Sequence, residues 1–310
     1  MNTAIWVAGE VLIDLIPREN GSVAIVGGGP ANTAKALAKL GFDSYFIDGI
    51  STDAYGQKAR AELLADGVNL DYTLTSDHPT CVATVTFDEN RSASYTFLID
   101  GTATFEFDES WLPDPTLPPA VLHIGTLATI IEPGASNLFN WAAKVKAPIV
   151  FDPNIRSSVI NNREKYQAIV EKWAGISAVI KMSDDDLSWL YPEEDFRSAA
   201  LNFINEKTLL VVITRGANGI DGFTQDGEVS VQGIKVDVID TVGAGDTVGA
   251  ILVEGIVKNG LDNLVGVTLE RVLKRAAAAA AITCSRAGAN PPTLKAVSYT
   301  HLTLPTNREV

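Results

Sequence analysis

The chain has 310 residues, of which 46% are hydrophobic, and its 24 basic and 38 acidic side chains give a formal net charge of −14 at pH 7. This length allows one large α/β domain, alone or with a smaller appendage, and a core that needs neither disulfides nor a structural metal. The acidic balance argues against nucleic acid or an anionic membrane as the main partner. No apolar run is long enough to span a membrane, so we expect a cytoplasmic protein of enzyme size.

The first part of the chain alternates strand-like and helix-like segments. Residues 5–16 form an apolar run rich in β-branched side chains, which predicts a strand. Residues 25–41 begin with a glycine-rich turn and continue with alanine and leucine at helical spacing, and a further strand and helix are predicted at 44–50 and 54–65. This alternation predicts a mainly parallel sheet with helices on its faces.

The hydrophobic pattern then changes to a period of two. Residues 81–87 and 94–99 alternate apolar and polar side chains on either side of the polar segment 88–92, which predicts a β-hairpin. A hairpin inside an α/β chain favours a separate small sheet. We therefore divide the chain into a β lid with its connector, residues 68–119, and a main α/β domain, residues 1–67 and 120–294.

Strand and helix alternate again after residue 120. The predicted strands are 121–124, 148–151, 178–181 and 209–214, the predicted helices 135–146, 164–174, 184–190, 196–206, 245–258 and 269–284, and a hairpin is predicted at 220–232. The whole pattern predicts a three-layer α/β/α domain with a mainly parallel central sheet and a small β-sheet lid. Residues 295–310 do not continue the acidic helix expected after Pro292, and we interpret them as a tail of artefactual origin outside the fold.

The segment DTVGAGDT, residues 240–247, is the strongest indication of chemistry in the sequence. Its small residues Gly243, Ala244 and Gly245 allow successive backbone N–H groups to point into one concavity, and the helix predicted after them adds the positive end of its dipole. Both features suit an anion. Asp246, at the start of that helix, can hold a metal, accept a proton from an attacking hydroxyl, or merely cap the helix.

Two further candidates lie near the N-terminus. The glycine turn with Gly28, Gly29 and Asn32 is neither the dinucleotide-binding pattern nor the P-loop, so it is either a tight turn without a ligand or a place where backbone approaches one closely. The amide of Asn32 both donates and accepts hydrogen bonds, as a polyol requires. Asp14 is an acid within an apolar run, which is costly unless it is paired or bound to ligand hydroxyls.

Polar side chains also follow three predicted strands, in segments 152–156, 181–186 and 214–219. The carboxyl ends of parallel strands meet at one edge of the sheet, where such folds bind ligands. The acidic triplet 184–186 is either a helix N-terminus or a metal site. The three histidines have no metal-ligand spacing and the nucleophile pattern G-x-S-x-G is missing, so the sequence offers no support for a zinc enzyme or a serine hydrolase.

Together these motifs resemble the ribokinase (PfkB) family of ATP-dependent carbohydrate kinases. The family pattern D-T-x-G-A-G-D is matched at every position by residues 240–246, and its N-terminal pattern G-G-x-x-x-N-x-A is similar to residues 28–34. Within the family, the segments GEVLIDLIP, FDPNIR and K-x-S-D-x-x-L, the last at residues 181–187, look most like bacterial fructokinases. The resemblance covers about residues 4–293.

The resemblance implies a role for each candidate residue. Asp246 would be the general base that takes the proton from the sugar hydroxyl, and the amides of Gly243, Ala244 and Gly245 would form the anion hole for the transferred phosphoryl group. The residues implied for the sugar are Asp14, Gly28, Gly29, Asn32 and Arg156, and those implied for ATP are Lys181, Thr214, Gly216, Gly219, Gly243 and Gly245. Asp186 would be an indirect ligand of Mg²⁺. Asp240 and Val242 would bind K⁺.

The resemblance implies an ATP-dependent kinase that phosphorylates D-fructose to fructose 6-phosphate. The alternatives are a kinase of the same family for 2-keto-3-deoxygluconate, ribose, aminoimidazole riboside or a nucleoside, or a non-catalytic regulator that binds a sugar and a nucleotide. Fructokinases often carry an arginine in the lid strand, which residues 97–100 lack, and an acidic substrate would need Arg91 or Arg156. A lid sheet with free edges also favours a homodimer through the lid.

Overall fold

The computed structural model describes residues 4–18, 21–87 and 93–303, and only the backbone of residues 85, 87, 93–95 and 299–303. The strands are β1 (Ala4–Ala8), β2 (Leu12–Arg18), β3 (Gly21–Gly27), β4 (Asp43–Ile47), β5 (Gly49–Ser51), β6 (Leu74–Ser76), β7 (Val82–Phe87), β8 (Ala93–Leu98), β9 (Val121–Gly125), β10 (Ile149–Asp152), β11 (Val179–Ser183), β12 (Leu210–Thr214), β13 (Ile220–Thr224) and β14 (Gly227–Val231). The α-helices are α1 (Gly29–Lys39), α2 (Ala54–Ala65), α3 (Gly134–Ala142), α4 (Arg163–Ala174), α5 (Asp184–Leu190), α6 (Phe196–Leu201), α7 (Ala244–Asn259), α8 (Gly266–Cys284) and α9 (Leu294–Thr303).

The central sheet has eight strands in the order β14-β13-β12-β11-β10-β9-β1-β4. The six strands from β12 to β4 are parallel, and β13 and β14 add an antiparallel edge. Strands β9 and β10 are buried along their whole length, as expected for parallel strands covered on both faces. The parallel strands bring their carboxyl ends to one edge, and this edge carries the candidate site.

Side chains of alternate residues in each central strand enter two separate cores. In β1, Val7 belongs to the cluster that packs α1, α7 and α8, whereas Trp6 belongs to the cluster that packs α3, α4 and α5. Helices therefore cover both faces of the sheet. The predicted three-layer α/β/α fold with a mainly parallel sheet is confirmed.

Four helices, α2, α4, α5 and α6, begin after a side chain that caps them. Asp53 accepts a hydrogen bond from Gly56 N (2.7 Å) at α2, and Asn162 accepts one from Lys165 N (2.8 Å) at α4. Each such cap stabilises a helix by about 1 kcal/mol. In α7 no side chain caps the N-terminus, and of its first two amides Ala244 N donates to the Thr241 carbonyl oxygen (3.3 Å) whereas that of Gly245 has no partner in the described residues.

The predicted strand over residues 5–16 is wrong as a single element. β1 ends at Ala8, the chain turns at Gly9 (φ +144°), and β2 continues in another sheet, of order β3-β2-β7-β8. A Cβ at Gly9 would clash with the Pro30 ring, so glycine is required at this turn. Because β1 and β2 are both apolar and only a short turn separates them, the sequence shows one continuous apolar run.

The small sheet confirms the predicted hairpin and extends it. β7 and β8 pair antiparallel from Val82↔Leu98 to Phe87↔Ala93, and the turn at residues 88–92, with Arg91, lies outside the described residues. The sheet also contains residues 12–18 and 21–27, which our division had assigned to the main domain. One edge strand of the small sheet, β3, therefore comes from outside the predicted segment 68–119, and the other, β8, comes from within it.

Part of the predicted tail packs against the fold. α9 covers Leu294–Thr303 and contacts α8, and Val297 is completely buried in the same core cluster as α7 and α8. The interpretation of residues 295–310 as lying outside the fold is therefore wrong for residues 295–303. Residues 304–310 lie outside the described part of the chain. Cys81 is buried and Cys284 is half-buried, and both are free thiols. No helix in the described residues has the length and apolar character of a membrane span.

Candidate active site

The candidate site is built around the N-terminus of α7. This helix begins after Gly243, whose φ of +80° is in the left-handed region that favours glycine. Ala244 N donates to the Thr241 carbonyl oxygen (3.3 Å), whereas the N–H groups of Gly243 and Gly245 make no hydrogen bond within the described residues, and the positive end of the helix dipole acts at the same place. This arrangement fits the anion-binding role predicted for Gly243, Ala244 and Gly245, which we call the α7 cradle.

Asp246, the third residue of α7, is buried and touches the N-terminal part of α1. Asn32 Nδ2 donates a hydrogen bond to Asp246 Oδ2 (2.8 Å) across 214 residues of sequence. A Cβ at Gly29 would lie 3.3 Å from Asp246 Oδ1, 2.9 Å from Thr126 Oγ1 and 3.1 Å from Asn154 Nδ2. Because Gly29 has no side chain, these three polar groups can approach its backbone closely, and any larger residue there would crowd them. Within the described residues, Asp246 Oδ1 accepts no hydrogen bond.

Burial raises the pKa of Asp246 to about 6. The charges of Lys181 and Arg156 and the hydrogen bond from Asn32 act in the opposite direction, while the carboxylate of Asp152 adds to the rise. At neutral pH the group is therefore mostly ionised, and it is a stronger base than an ordinary aspartate. A carboxylate of this kind is suited to accept a proton near pH 7.

Lys181 pairs with Asp152 beneath the α7 cradle. Its Nζ lies 2.7 Å from Asp152 Oδ2, and both side chains are about 5% exposed. Burial alone would lower the pKa of Lys181, but Asp152, with further help from Asp246 and Asp186, raises it overall, so the ammonium stays charged. A Cβ at Gly245 would lie 3.1 Å from Lys181 Nζ, which places this positive charge directly at the cradle.

Two buried oxygens near this pair have no hydrogen-bond partner among the described residues. These are Asp152 Oδ1 and Asn32 Oδ1. A buried polar atom without a partner costs about 1–3 kcal/mol. Their position on opposite sides of Asp246 and Lys181 fits a ligand with hydrogen-bond donors.

Asp186 organises the loop that follows β10. Its Oδ1 accepts a hydrogen bond from Ile155 N (2.9 Å) and its Oδ2 accepts one from Ser183 N (3.0 Å), as part of a capping box at α5. In the same loop, Arg156 Nη1 donates to Asn154 Oδ1 (2.7 Å), and Asn154 has a left-handed φ of +40°. Asp186 thus holds the loop that carries Asn154 and Arg156.

Asp14 lies in β2 of the small sheet, which borders the candidate site. Burial raises the pKa of Asp14 to about 6, and the charge of Arg156 opposes the rise. Asp14 lies over Gly27, where a Cβ would clash with its carboxylate. Gly28 is the N-cap residue of α1 and leads directly to Gly29. The residues predicted for the sugar thus come from two sheets and from the start of α1.

The residues predicted for the nucleotide lie further along the same sheet edge. Thr214 ends β12, pairs in register with Ser183 of β11, and its Oγ1 lies 3.4 Å from the Met182 carbonyl oxygen. Gly216 and Gly219 lie in the turn that follows, between β12 and β13. This turn is two strands away from Asp152 in β10.

Asp240 connects the loop before α7 to the segment after α8. Its Oδ1 accepts a hydrogen bond from Val242 N (3.0 Å), and its Oδ2 accepts one from Gly288 N (2.9 Å) after α8. In the described part of the chain, no group of three or more His, Cys, Asp or Glu side chains is arranged to hold a metal ion.

The sequence pattern of the pfkB family carbohydrate kinases matches residues 2–296. The chain belongs to this family. Fructokinase of Rhizobium leguminosarum bv. trifolii is 36% identical over 250 residues, which are 78% of this chain and 76% of that protein.

Solved structures support the same assignment. Fructokinase from Vibrio cholerae O395, solved as a double mutant with fructose, ADP and potassium ion bound, is 27% identical, with a TM-score of 0.80 over 98% of each chain. Fructokinase from Xylella fastidiosa with bound ATP has a TM-score of 0.89 over 96% of this chain and 98% of that chain. At 23% identity, that second structure is similar in fold.

In this pfkB family chain, the structure brings together most of the predicted residues but adds others. Asp152, Asn154 and Thr126 border Lys181 and Asp246 and were not among the predicted site residues. Asp152 and Asn154 could have been found, because both follow the end of a predicted strand. Thr126 could not, since its position depends on a left-handed φ of +59° after β9.

Proposed function

We propose that the chain is an ATP-dependent fructose kinase that transfers the γ-phosphoryl group of ATP to D-fructose and forms fructose 6-phosphate. The observation that carries this proposal is the free Oδ1 of Asp246 beside the α7 cradle and the Lys181 ammonium. The relatives named above support it, because all three are fructokinases and one was solved with fructose and ADP bound.

Asp246 acts as the general base in this proposal. Asn32 holds Oδ2, so Oδ1 remains to accept the proton of the fructose hydroxyl. The hydroxyl oxygen forms a bond to the γ-phosphorus as the bond from that phosphorus to the bridging oxygen of ADP breaks. The proton ends on Asp246. General base catalysis of this type contributes about 10²- to 10⁴-fold to the rate.

The α7 cradle and Lys181 stabilise the transferred phosphoryl group. In this proposal the amides of Gly243, Ala244 and Gly245 bind the negative charge, and the pair with Asp152 fixes Lys181 before the substrates arrive. Groups that are already oriented need no rearrangement when charge develops, and this is a main source of rate enhancement in phosphoryl transfer.

The sugar lies between the two sheets in this proposal. Asp14, with Gly28 and Gly29, borders it on the lid side, and Asn32 Oδ1 accepts a hydrogen bond from one of its hydroxyls. Arg156, which lowers the pKa of both Asp14 and Asp246, reaches the sugar or the phosphate from the loop after β10. ATP lies along the sheet edge, where it contacts Lys181, Thr214, Gly216 and Gly219.

Mg²⁺ supplies neutralisation of the ATP phosphate charge when it is bound. The residues present fit an ion that is held mainly by phosphate oxygens and water, as Mg²⁺ commonly is. Asp186 would contribute indirectly, because each of its oxygens already accepts one backbone hydrogen bond and keeps a second lone pair. For K⁺ we assign the loop with Asp240 and Val242.

The lid sheet carries the proposed contact between two copies of the chain. Val23 in β3 and Leu98 in β8 are 47% and 60% exposed, on the two edge strands of the small sheet. Edge strands with apolar side chains favour pairing with another chain. Light scattering should give twice the chain mass for the wild type and the single mass for Leu98→Glu, and a monomeric wild type would contradict the contact.

The test of the proposed function is ADP release from ATP and Mg²⁺, with K⁺ supplied, over a panel of substrates. The panel contains D-fructose, ribose, 2-keto-3-deoxygluconate, aminoimidazole riboside and inosine. We expect turnover on fructose that Asp246→Asn abolishes while fructose binding remains. Turnover on another substrate would keep the reaction and replace the sugar, and no turnover with binding intact would favour a regulator.

A further inference from the structure

A second cavity lies between α7 and α8, away from the α7 cradle. Its volume is about 340 Å³, and its charged lining residues are Glu254, Lys258, Arg271, Lys274 and Arg275. Glu254 follows Asp246 by eight residues on α7, which is about 12 Å along the helix axis. The cavity is therefore a separate place on the same helix.

Glu254 organises one wall of this cavity. Its side chain is 2% exposed, and it accepts hydrogen bonds from Lys258 Nζ (2.6 Å) and from Arg275 Nε (2.5 Å) and Nη2 (3.0 Å). Burial would raise the pKa of Glu254, but the bonds from Arg275 and Lys258 lower it overall. The carboxylate stays ionised and fixes both cations at the cavity.

The cavity carries more positive charge than its own carboxylate neutralises. Four cationic side chains and one carboxylate line it, in a chain whose net charge is −14. In the described part of the chain, Arg271 pairs with no carboxylate: its guanidinium contacts the Val267 carbonyl and the Thr268 hydroxyl, both at 3.4 Å. Lys274 pairs only with the exposed Glu270, at 2.6 Å. Arg271 is therefore available to a ligand.

The helix dipoles at the cavity do not by themselves determine whether it binds an anion or a cation. The cavity lies near the last turns of α7, which repel an anion, and near the first turns of α8, which attract one. These contributions oppose each other, so the side-chain charges dominate. An arginine beside lysines recognises phosphate groups in particular, because the guanidinium can form two parallel hydrogen bonds to one phosphate.

We propose that the cavity between α7 and α8 binds a small molecule that carries two or more phosphate groups. The volume lies at the lower end of the range for small-ligand sites, which suits a compact bisphosphate or a diphosphate. Arg271 and Lys274 contact its phosphates, and Arg275 and Lys258 contribute charge from the wall that Glu254 holds. This proposal does not depend on the identity of the phosphorylated sugar.

The probe for the test is inorganic pyrophosphate, titrated calorimetrically at low salt. The protein is first saturated with a non-hydrolysable ATP analogue, so that the α7 cradle is filled. Wild type should bind pyrophosphate under these conditions. Arg271→Ser/Lys274→Ser should weaken the binding by about tenfold or more, since each charge-assisted contact to phosphate is strong. A matched control, Lys58→Ser/Lys146→Ser, removes the same charge from exposed positions elsewhere and should change the affinity less than about twofold.

A second readout locates the bound probe. Pyrophosphate should slow amide hydrogen exchange in the first turns of α8 in the wild type and not in the double variant. Both variants should keep the wild-type melting temperature, because Arg271 is exposed and Lys274 pairs only at the surface. The proposal is overturned if the cavity variant and the control bind pyrophosphate equally, or if pyrophosphate slows no amide exchange in α8 of the wild type.

Discussion

Helix α7 carries two buried carboxylates, and their surroundings differ in a way that separates chemistry from structure. Glu254 is held by Arg275 and Lys258, and its pKa is lowered. The carboxylate of Asp246 accepts one hydrogen bond from the described residues, from the neutral amide of Asn32, and its pKa is raised to about 6. Cations that contact a carboxylate directly lower its pKa and make it a weaker base, whereas burial without such a contact raises the pKa and makes it a stronger base.

The pH dependence of stability should have opposite signs at the two positions. The folded pKa of Asp246 lies above its ordinary value, so its contribution to stability declines as pH rises from about 4 to about 6. The pKa of Glu254 is lowered, so its contribution is present at neutral pH and is lost as pH falls through that lowered value. Four substitutions test this difference between Asp246 and Glu254.

The largest effect is expected for Asp246→Asn. The proton acceptor is lost, so kcat should fall by about 10²- to 10⁴-fold in the ADP-release assay. The melting temperature at pH 8 should be equal to or above that of the wild type, because an ionised carboxylate that is unfavourably buried has been removed. A loss of kcat below tenfold would contradict the role of Asp246 as the base.

Lys181→Met should also reduce kcat strongly, by about 10²-fold, because an ammonium directed at the transferred group is lost. This variant leaves Asp152 buried without its partner and should be unstable by about 3–5 kcal/mol. The matched control is Lys181→Met/Asp152→Asn, which removes the unpaired charge. Recovery of stability without recovery of kcat would separate the two effects, and recovery of both would refute a catalytic role for Lys181.

Glu254→Gln should have the reverse profile. The free energy of unfolding, measured in urea, is expected to fall by about 2 kcal/mol, which is less than for a fully buried pair because Lys258 is 54% exposed. The kcat should stay within about twofold of the wild type, since Glu254 touches no residue of the α7 cradle in the contacts described. A large loss of kcat with unchanged stability would remove the distinction between the two carboxylates.

The smallest effect is expected for Asn32→Ala, and it is a shift of the acid limb of the pH profile of kcat. Activity requires ionised Asp246, so kcat should fall about tenfold per pH unit below about pH 6. Loss of the hydrogen bond that favours the ionised form should move this limb to higher pH by less than about one unit. Asp14→Asn is the control, because burial gives Asp14 a similar pKa, and its kcat limb should not move.

The local elements of this fold could be predicted closely from sequence where the signal is itself local. Helices α2 and α5 have the predicted bounds, 54–65 and 184–190, because a capping side chain starts each one and the apolar spacing is helical. The α7 motif was predicted in the same way, since its glycines and the helix after it are adjacent in the sequence. The assignment of the chain to its family rests on the same motif and is confirmed over nearly the whole length.

The division between the two sheets could not be predicted in this way. An apolar run that passes from β1 through Gly9 into β2 has the same pattern whether it forms one strand or two. Which strands pair depends on contacts between residues far apart, such as β2 with β7. The buried Val297 near the end of the chain was missed for the same reason.

By itself, therefore, the sequence determined the layered α/β fold, the anion-binding turn before α7 and the aspartate placed at that turn. The assembled fold adds the groups that surround this aspartate: Asn32 at one oxygen, the bare backbone of Gly29 near the other, and Lys181 fixed by Asp152. The physical reason is that motifs depend on neighbours along the chain, whereas burial and charge, which set the pKa of Asp246, depend on residues that meet only when the sheet is assembled.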